Sequence, residues 1–182
     1  MRTMPSVIGL DLSLSSTGVA FPSPDGSWTT DSYQSRSTGM GRIAEIRGWF
    51  GAIVDWCPDP VVLVEGYSFS SRNSQSHALG ELGGVIRMYM WDNMVPYIEV
   101  PPTSRAKFAT GKGNASKNEV VSAVSARTGI VWSGKGADDE CDAWVLQEMG
   151  LARLGSARHS WPAENMAALD KIEWTDAFKE ER

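Results

Sequence analysis

The sequence is poor in the residues that staple or metallate small folds. Its 182 residues include two cysteines and two histidines. Cys57 and Cys141 lie far apart and form no Cys-x-x-Cys pair, so neither a disulfide framework nor a zinc knuckle is indicated. His77 and His159 are isolated and read as structural or surface residues. No apolar run approaches the ~20 residues that cross a bilayer, so no membrane association is expected. Met1 to Pro5 lacks the apolar stretch of a secretion signal, and the expected location is the cytoplasm. An excess of positive charge is also missing, since the formal net charge is −5. Its distribution matters more for polyanion binding than its sum. Residues 1–65 carry 4 basic and 7 acidic side chains, residues 66–137 carry 8 and 4, and residues 138–182 carry 5 and 11. The middle third is basic and the two ends are acidic, which permits nucleic-acid binding without arguing for it.

What is present is a hydrophobic pattern that alternates between strand and helix. The apolar run 7–10, the segment 17–21 and the segment 27–33 read as three strands, with the turn-forming Pro22-Ser23-Pro24-Asp25-Gly26 between the last two. Ile43, Ile46, Trp49, Phe50 and Ile53 recur at helical spacing until Pro58. Val61-Val62-Leu63-Val64 is an uninterrupted apolar run suited to a central strand covered on both faces. A Gly-rich helix is expected over 76–91 and a fifth strand over 97–100, ended by Pro101-Pro102. A capping-box pattern at Ser116 to Glu119 and a stop at Gly129 delimit a third helix, and a fourth spans 138–154. The order βββ-α-β-α-β-α-α predicts an α/β fold: a five-stranded mixed sheet, antiparallel meander plus parallel strands, with helices on both faces. One domain over 1–155 is expected, with 156–182 as a partly helical C-terminal appendage.

The chemistry sits in carboxylates. Asp11 and Glu65 each end a buried apolar strand, where an ionised group needs a partner or an ion. Strands adjacent in one sheet would bring them together, and two such groups repel unless a cation intervenes. Asp139 and Asp142 share one face of the last helix, as do Asp138 and Asp142. The Asp138-Asp139-Glu140 run also suits a helix N-terminus. Oxygen-only ligands of this kind suit magnesium or manganese, and two such ions about 4 Å apart can clamp a scissile phosphate. Between Arg105 and Lys117 lies a loop-like basic stretch with Lys107 and Lys112, interspersed with Gly111, Gly113 and Asn114. Glycines let backbone approach a sugar-phosphate chain and lysines neutralise it; an ordinary solvated loop has the same composition.

Ile8 to Gly18, with Asp11 followed six and seven residues later by Thr17-Gly18, resembles the first strand and turn of the RuvC family of Holliday junction resolvases. Val64-Glu65 resembles its second acidic position, Leu79-Gly80 and Gly84-Val85 its following helix, and Ala137 to Leu146 its closing Asp-x-x-Asp-Ala helix. The resemblance covers about residues 6–154. It implies a ribonuclease H-like fold and a structure-selective endonuclease with two magnesium or manganese ions held by Asp11, Glu65, Asp139 and Asp142. It implies paired symmetric nicks in a four-way DNA junction, leaving 5′-phosphate and 3′-hydroxyl ends, made by a homodimer. Lys107 and Lys117 resemble basic residues that approach the scissile phosphate, and the helix around 79–90 is the expected dimer surface.

The sequence departs from the family at Leu12-Ser13, where Pro-Gly is usual; this variant resembles bacteriophage members, which would act in the bacterial host cytoplasm. The family's stacking aromatic would fall at Ser68, flanked by Tyr67 and Phe69, and either is a candidate to stack on a base. A broader nuclease of flaps and forks, and a non-cleaving junction binder, remain open alternatives. An ATPase of the actin and sugar-kinase type, which shares the first motif, would need a duplicated fold longer than this chain.

Overall fold

The computed structural model describes residues 4–67 and 74–178, with the side chains of Ser74 and Gln75 excepted. The strands are β1 (Ser6–Asp11), β2 (Thr17–Pro22), β3 (Trp28–Tyr33), β4 (Pro60–Glu65) and β5 (Tyr97–Val100). The main helices are α1 (Gly39–Trp56), α2 (Ser74–Asp92), α3 (Pro102–Thr110), α4 (Lys117–Thr128) and α5 (Ala137–Arg153), followed by a short α6 (Ala163–Met166) and two single 3₁₀ turns. The sheet order is β3-β2-β1-β4-β5. β1, β2 and β3 form an antiparallel meander, and β4 and β5 extend it in parallel from β1.

Side-chain alternation along the two central strands divides the interior into two layers. Ile8, Leu10, Val62 and Val64 face one way, onto Ile46 and Phe50 of α1 and Leu82 and Ile86 of α2. Val7, Val61 and Leu63 face the other way, onto Phe108 of α3, Val120 and Val124 of α4, and the whole length of α5. α5 is almost entirely buried from Cys141 to Gly150, the mark of a helix packed on all sides. It seats on β1 and β2 at Gly9 and Gly18. A Cβ on Gly9 would lie 2.6 Å from the Gln147 amide and closer still to the Ala143 carbonyl; one on Gly18 would strike the Asp139 backbone. Gln147 Nε2 donates to the Val7 carbonyl at 2.9 Å, which pins the register between helix and strand.

One expectation is corrected, and one segment is seen in more detail. α3 was expected as loop. Pro101-Pro102 does end β5, but proline is also favoured in the first turn of a helix, and Gly111 closes α3 with φ 81°. The segment after Gly155, expected as an appendage, contributes Trp161, Ala168, Leu169, Ile172 and Phe178 to the α3–α4–α5 layer. It is tied there by Glu148 of α5, which is fully buried. Its carboxylate accepts from the Arg158 and His159 amides, Arg158 Nε and Trp161 Nε1 at 2.8–3.1 Å. The Arg158 guanidinium lies over the rings of Trp28 and Trp144.

Candidate active site

The strand alternation that splits the core also aims the acids. Asp11 shares the parity of Val7, and Glu65 that of Val61 and Leu63, so both point toward α5. Leu10 pairs with Val64 in the parallel register, which sets Asp11 beside Glu65 one step further along. The turn after β1 is closed by Thr17, whose hydroxyl donates to the Ser13 carbonyl at 2.7 Å and accepts from the Ser13 amide. The Thr-Gly pair after Asp11 thus has two mechanical roles: Thr17 ties the turn and Gly18 admits α5.

From α5 come Asp139 and Asp142, both buried. Asp138, the competing candidate, stands at the rim with its side chain half exposed. Glu140 leaves the site and accepts the hydroxyls of Thr30 and Ser32 on β3. The capping box expected at Ser116 is formed in both directions, and it starts α4 so that Lys117 reaches the acids. Lys117 Nζ lies 3.1 Å from Asp139 Oδ1, 3.3 Å from Asp138 Oδ2 and 3.9 Å from Asp142 Oδ2.

Arg105 was read as part of a solvated, DNA-contacting loop, and the structure places it elsewhere. It is a helical residue, 6% exposed, that donates through Nε to Glu65 and through Nη1 to Asp142. Residues two apart on a helix point about 200° apart, so the turn that sends Arg105 inward sends Lys107 away from the acids. Lys112 is exposed on the loop after Gly111. Tyr67 lies against α2, its hydroxyl donating to the Gly80 carbonyl and its ring beneath the Arg87 guanidinium. Phe69 lies outside the described residues. His77 is exposed, and the His159 ring packs 5.7 Å from that of Trp144.

These acids open into a cleft of about 560 Å³ lined by Asp11, Glu65, Lys117 and Asp139, with residues 12–15, Arg42, Ala78 and Leu79 as its walls. Sequence reading missed Arg42. Its Nε donates to the Ser37 carbonyl at 3.0 Å, and Glu45 fixes that loop by accepting hydroxyls from Tyr33, Ser35 and Ser37. Among the described residues Arg42 has no acidic partner.

Burial pushes the Asp11 carboxyl well above the usual carboxylate range, and the charges of Glu65 and Asp142 push it the same way. Burial also raises Asp142 to about 7, despite the opposing pull of Arg105. Lys117 is held further toward its charged form: burial works against this, and the charges of Asp11 and Asp139 outweigh it. The site therefore demands positive charge. Asp142 Oδ2 is buried with no hydrogen-bond partner, and no hydrogen bond to the Asp11 carboxylate is found among the described residues. An all-oxygen donor set with such unmet acceptors fits a hard divalent cation. As the side chains stand, no three acidic, histidine or cysteine groups among the described residues converge closely enough to hold one.

No protein-family model matches the chain. Ninety-five of its residues, 52% of the chain, are 28% identical to the crossover junction endodeoxyribonuclease RuvC of Carboxydothermus hydrogenoformans, and the match spans 60% of that protein. The structure of Thermus thermophilus RuvC superposes with a TM-score of 0.61 at 19% identity, covering 85% of this chain and 99% of that one. The same protein in complex with a Holliday junction substrate superposes with a TM-score of 0.66 at 19% identity, covering 86% and 99%. The fold of this chain is therefore RuvC-like, of the ribonuclease H type.

Proposed function

We propose that the chain is a divalent-metal-dependent endonuclease that resolves four-way DNA junctions by paired nicks. The observation that carries this reading is the gathering of Asp11, Glu65 and Asp139 from three elements into one cleft, with Lys117 over them and Asp142 buried 3.9 Å from its ammonium. Those four acids would hold two magnesium or manganese ions, whose chemistry is to activate water and to stabilise the leaving oxygen of a phosphodiester. Hydrolysis of that kind leaves a 5′-phosphate and a 3′-hydroxyl.

The remaining parts are the chain's own. Lys117 is placed to draw a non-bridging phosphate oxygen toward the acids and to offset the charge that builds there. Arg42, which also lines the cleft, and Lys112 on the loop before α4 would neutralise flanking phosphates. Lys107, on the outer side of α3, is a more distant backbone contact. Base stacking at a crossover falls to Phe69 or Tyr67, with Tyr67 already held by Arg87 and Gly80.

Paired nicks need two sites, and a two-fold dimer supplies them. On α2 the face running through Gly84, Met88 and Trp91 is exposed. Met88 is 58% and Trp91 76% exposed, with Met94 beyond them at 90%, and a Cβ on Gly84 would meet nothing. A small residue beside large exposed apolar ones suits close approach of a second copy.

The test is gel-based cleavage of a four-way junction beside linear duplex, flap and fork, with magnesium, manganese or chelator. Paired, symmetric, metal-dependent nicks in the junction alone are expected. Asp11→Asn and Glu65→Gln should abolish them while leaving junction binding measurable. Equal cutting of flap and fork would make this a general branched-DNA nuclease. Wild-type cleavage by either variant would remove the assignment of the acids.

A further inference from the structure

The acidic site already contains a cation, and it belongs to the chain. The Arg105 side chain crosses from α3 to serve Glu65 on β4 and Asp142 on α5 at once. A guanidinium presents several donors in a rigid planar fork, so it can bridge two carboxylates held on different elements where an ammonium could not. At 6% exposure it is a group whose charge has to be matched within the protein, and these acids supply the match. Lys117, by contrast, approaches from solvent with its side chain about half exposed. Arg105 thus stands inside the cluster and Lys117 at its door.

The same two acids are needed for a divalent ion. Arg105 engages Glu65 Oε2 and Asp142 Oδ1, so only the second oxygen of each is open to a metal, and a divalent ion there would stand against the guanidinium charge. This explains why the oxygen donors are chemically right for a hard cation while no three of them converge as they stand. We infer that Arg105 is a built-in counter-ion of the metal-free site, and that its pairs with Glu65 and Asp142 compete with the binding of a divalent ion. The inference rests on the divalent-ion reading above. Arg105 keeps the clustered carboxylates tolerable before metal arrives, and it weakens metal affinity by the free energy of breaking its own pairs.

Arg105→Gln keeps a polar group and removes the charge. Two quantities should be measured: the thermal midpoint in chelator, and Mn²⁺ affinity by calorimetry or by paramagnetic resonance of the free ion. In chelator the variant should melt several degrees below wild type. Mn²⁺ should restore it, and should bind about tenfold more tightly than to wild type, within the usual range of coupling between linked sites. Adding Glu65→Gln should recover part of the midpoint in chelator, because one of the carboxylates left without a partner is then gone. Arg105→Lys keeps the charge without the fork, so it guards against a glutamine variant too unstable to purify; its Mn²⁺ affinity should lie between the two. Unchanged or weaker Mn²⁺ binding by the folded variants, beside normal binding by wild type, overturns the counter-ion role alone. No Mn²⁺ binding by any form, with no cleavage, overturns it together with the divalent-ion reading.

Discussion

Replacing Gly9 by alanine tests whether α5 is seated as described. The added methyl would come 2.6 Å from the Gln147 amide and nearer still to the Ala143 carbonyl, both backbone atoms of α5. No rotamer can relieve a clash with backbone, so α5 must withdraw by ~1 Å or more to reach ordinary van der Waals separation. Overpacking of this kind costs about 1–3 kcal/mol and sometimes more. The Gln147–Val7 hydrogen bond would lengthen with it. Asp139 and Asp142 ride on the same helix, while Asp11 and Glu65 stay on the sheet. A misplacement of ~1 Å between catalytic groups can cost about 100-fold in rate. Gly48 provides the control: it lies in α1 with nothing near its missing Cβ, so alanine there should be neutral or stabilising by up to about 1 kcal/mol. The assay is urea denaturation of both variants, followed by single-turnover junction cleavage by the fraction that is folded. Gly9→Ala with wild-type stability and wild-type cleavage would refute the packing of α5 on β1 and the dependence of the acid cluster on it.

Glu148→Gln should destabilise by about 3–5 kcal/mol, the usual cost of breaking a buried charged pair, because Arg158 Nε then faces an amide nitrogen in place of Oε2 and the guanidinium loses its counter-charge; a shift of the urea midpoint within error would show that Glu148 does not hold the chain after Gly155. The metal-free protein should lose stability as pH rises from about 4 to about 7. Asp142 and Asp11 hold protons more tightly folded than unfolded, so the slope is negative, up to about 1.4 kcal/mol per pH unit for each proton. Melting in chelator across that window checks it, and Asp142→Asn should flatten the curve; a midpoint that climbs with pH would contradict the burial of these acids. Arg42→Ala should weaken junction binding and reduce the slope of log affinity against log salt by about one; an unchanged slope would remove Arg42 from the DNA path.

The strands, α1, α2, α4 and α5 are all legible in the sequence because each carries its own hydrophobic period and punctuation. The capping box at Ser116 is local chemistry and forms as the spacing implies. Asp11 and Glu65 are readable as a pair because both end apolar runs, and the parallel register of β1 and β4 does the rest. α3 was hidden by Pro101-Pro102, which marks a strand end and a helix start with the same residues. Missing that helix also left Arg105 and Lys107 read alike, as DNA contacts: in a loop both could reach a phosphate, and in a helix they diverge, with Arg105 turned to the acids. Arg42 left no signal, since a lone arginine in an amphipathic helix looks like any solvated residue, and only the third dimension brings it to the cleft that Lys117 also lines. Nor did Glu148 signal its burial, because its partners lie in a segment with no helical period of its own.

The tie between Glu148 and residues 158–161 also sets an order of assembly. Asp11 leaves a ribosome more than a hundred residues before the helix it must face. That helix carries a carboxylate that cannot be buried until Arg158 and Trp161 have emerged to meet it. A nascent chain short of this point holds β1, β2 and β4 with their acids but has no stable way to lay α5 across them. If the proposed function holds, such a chain would stay harmless throughout its own synthesis and acquire its cutting centre in one late step.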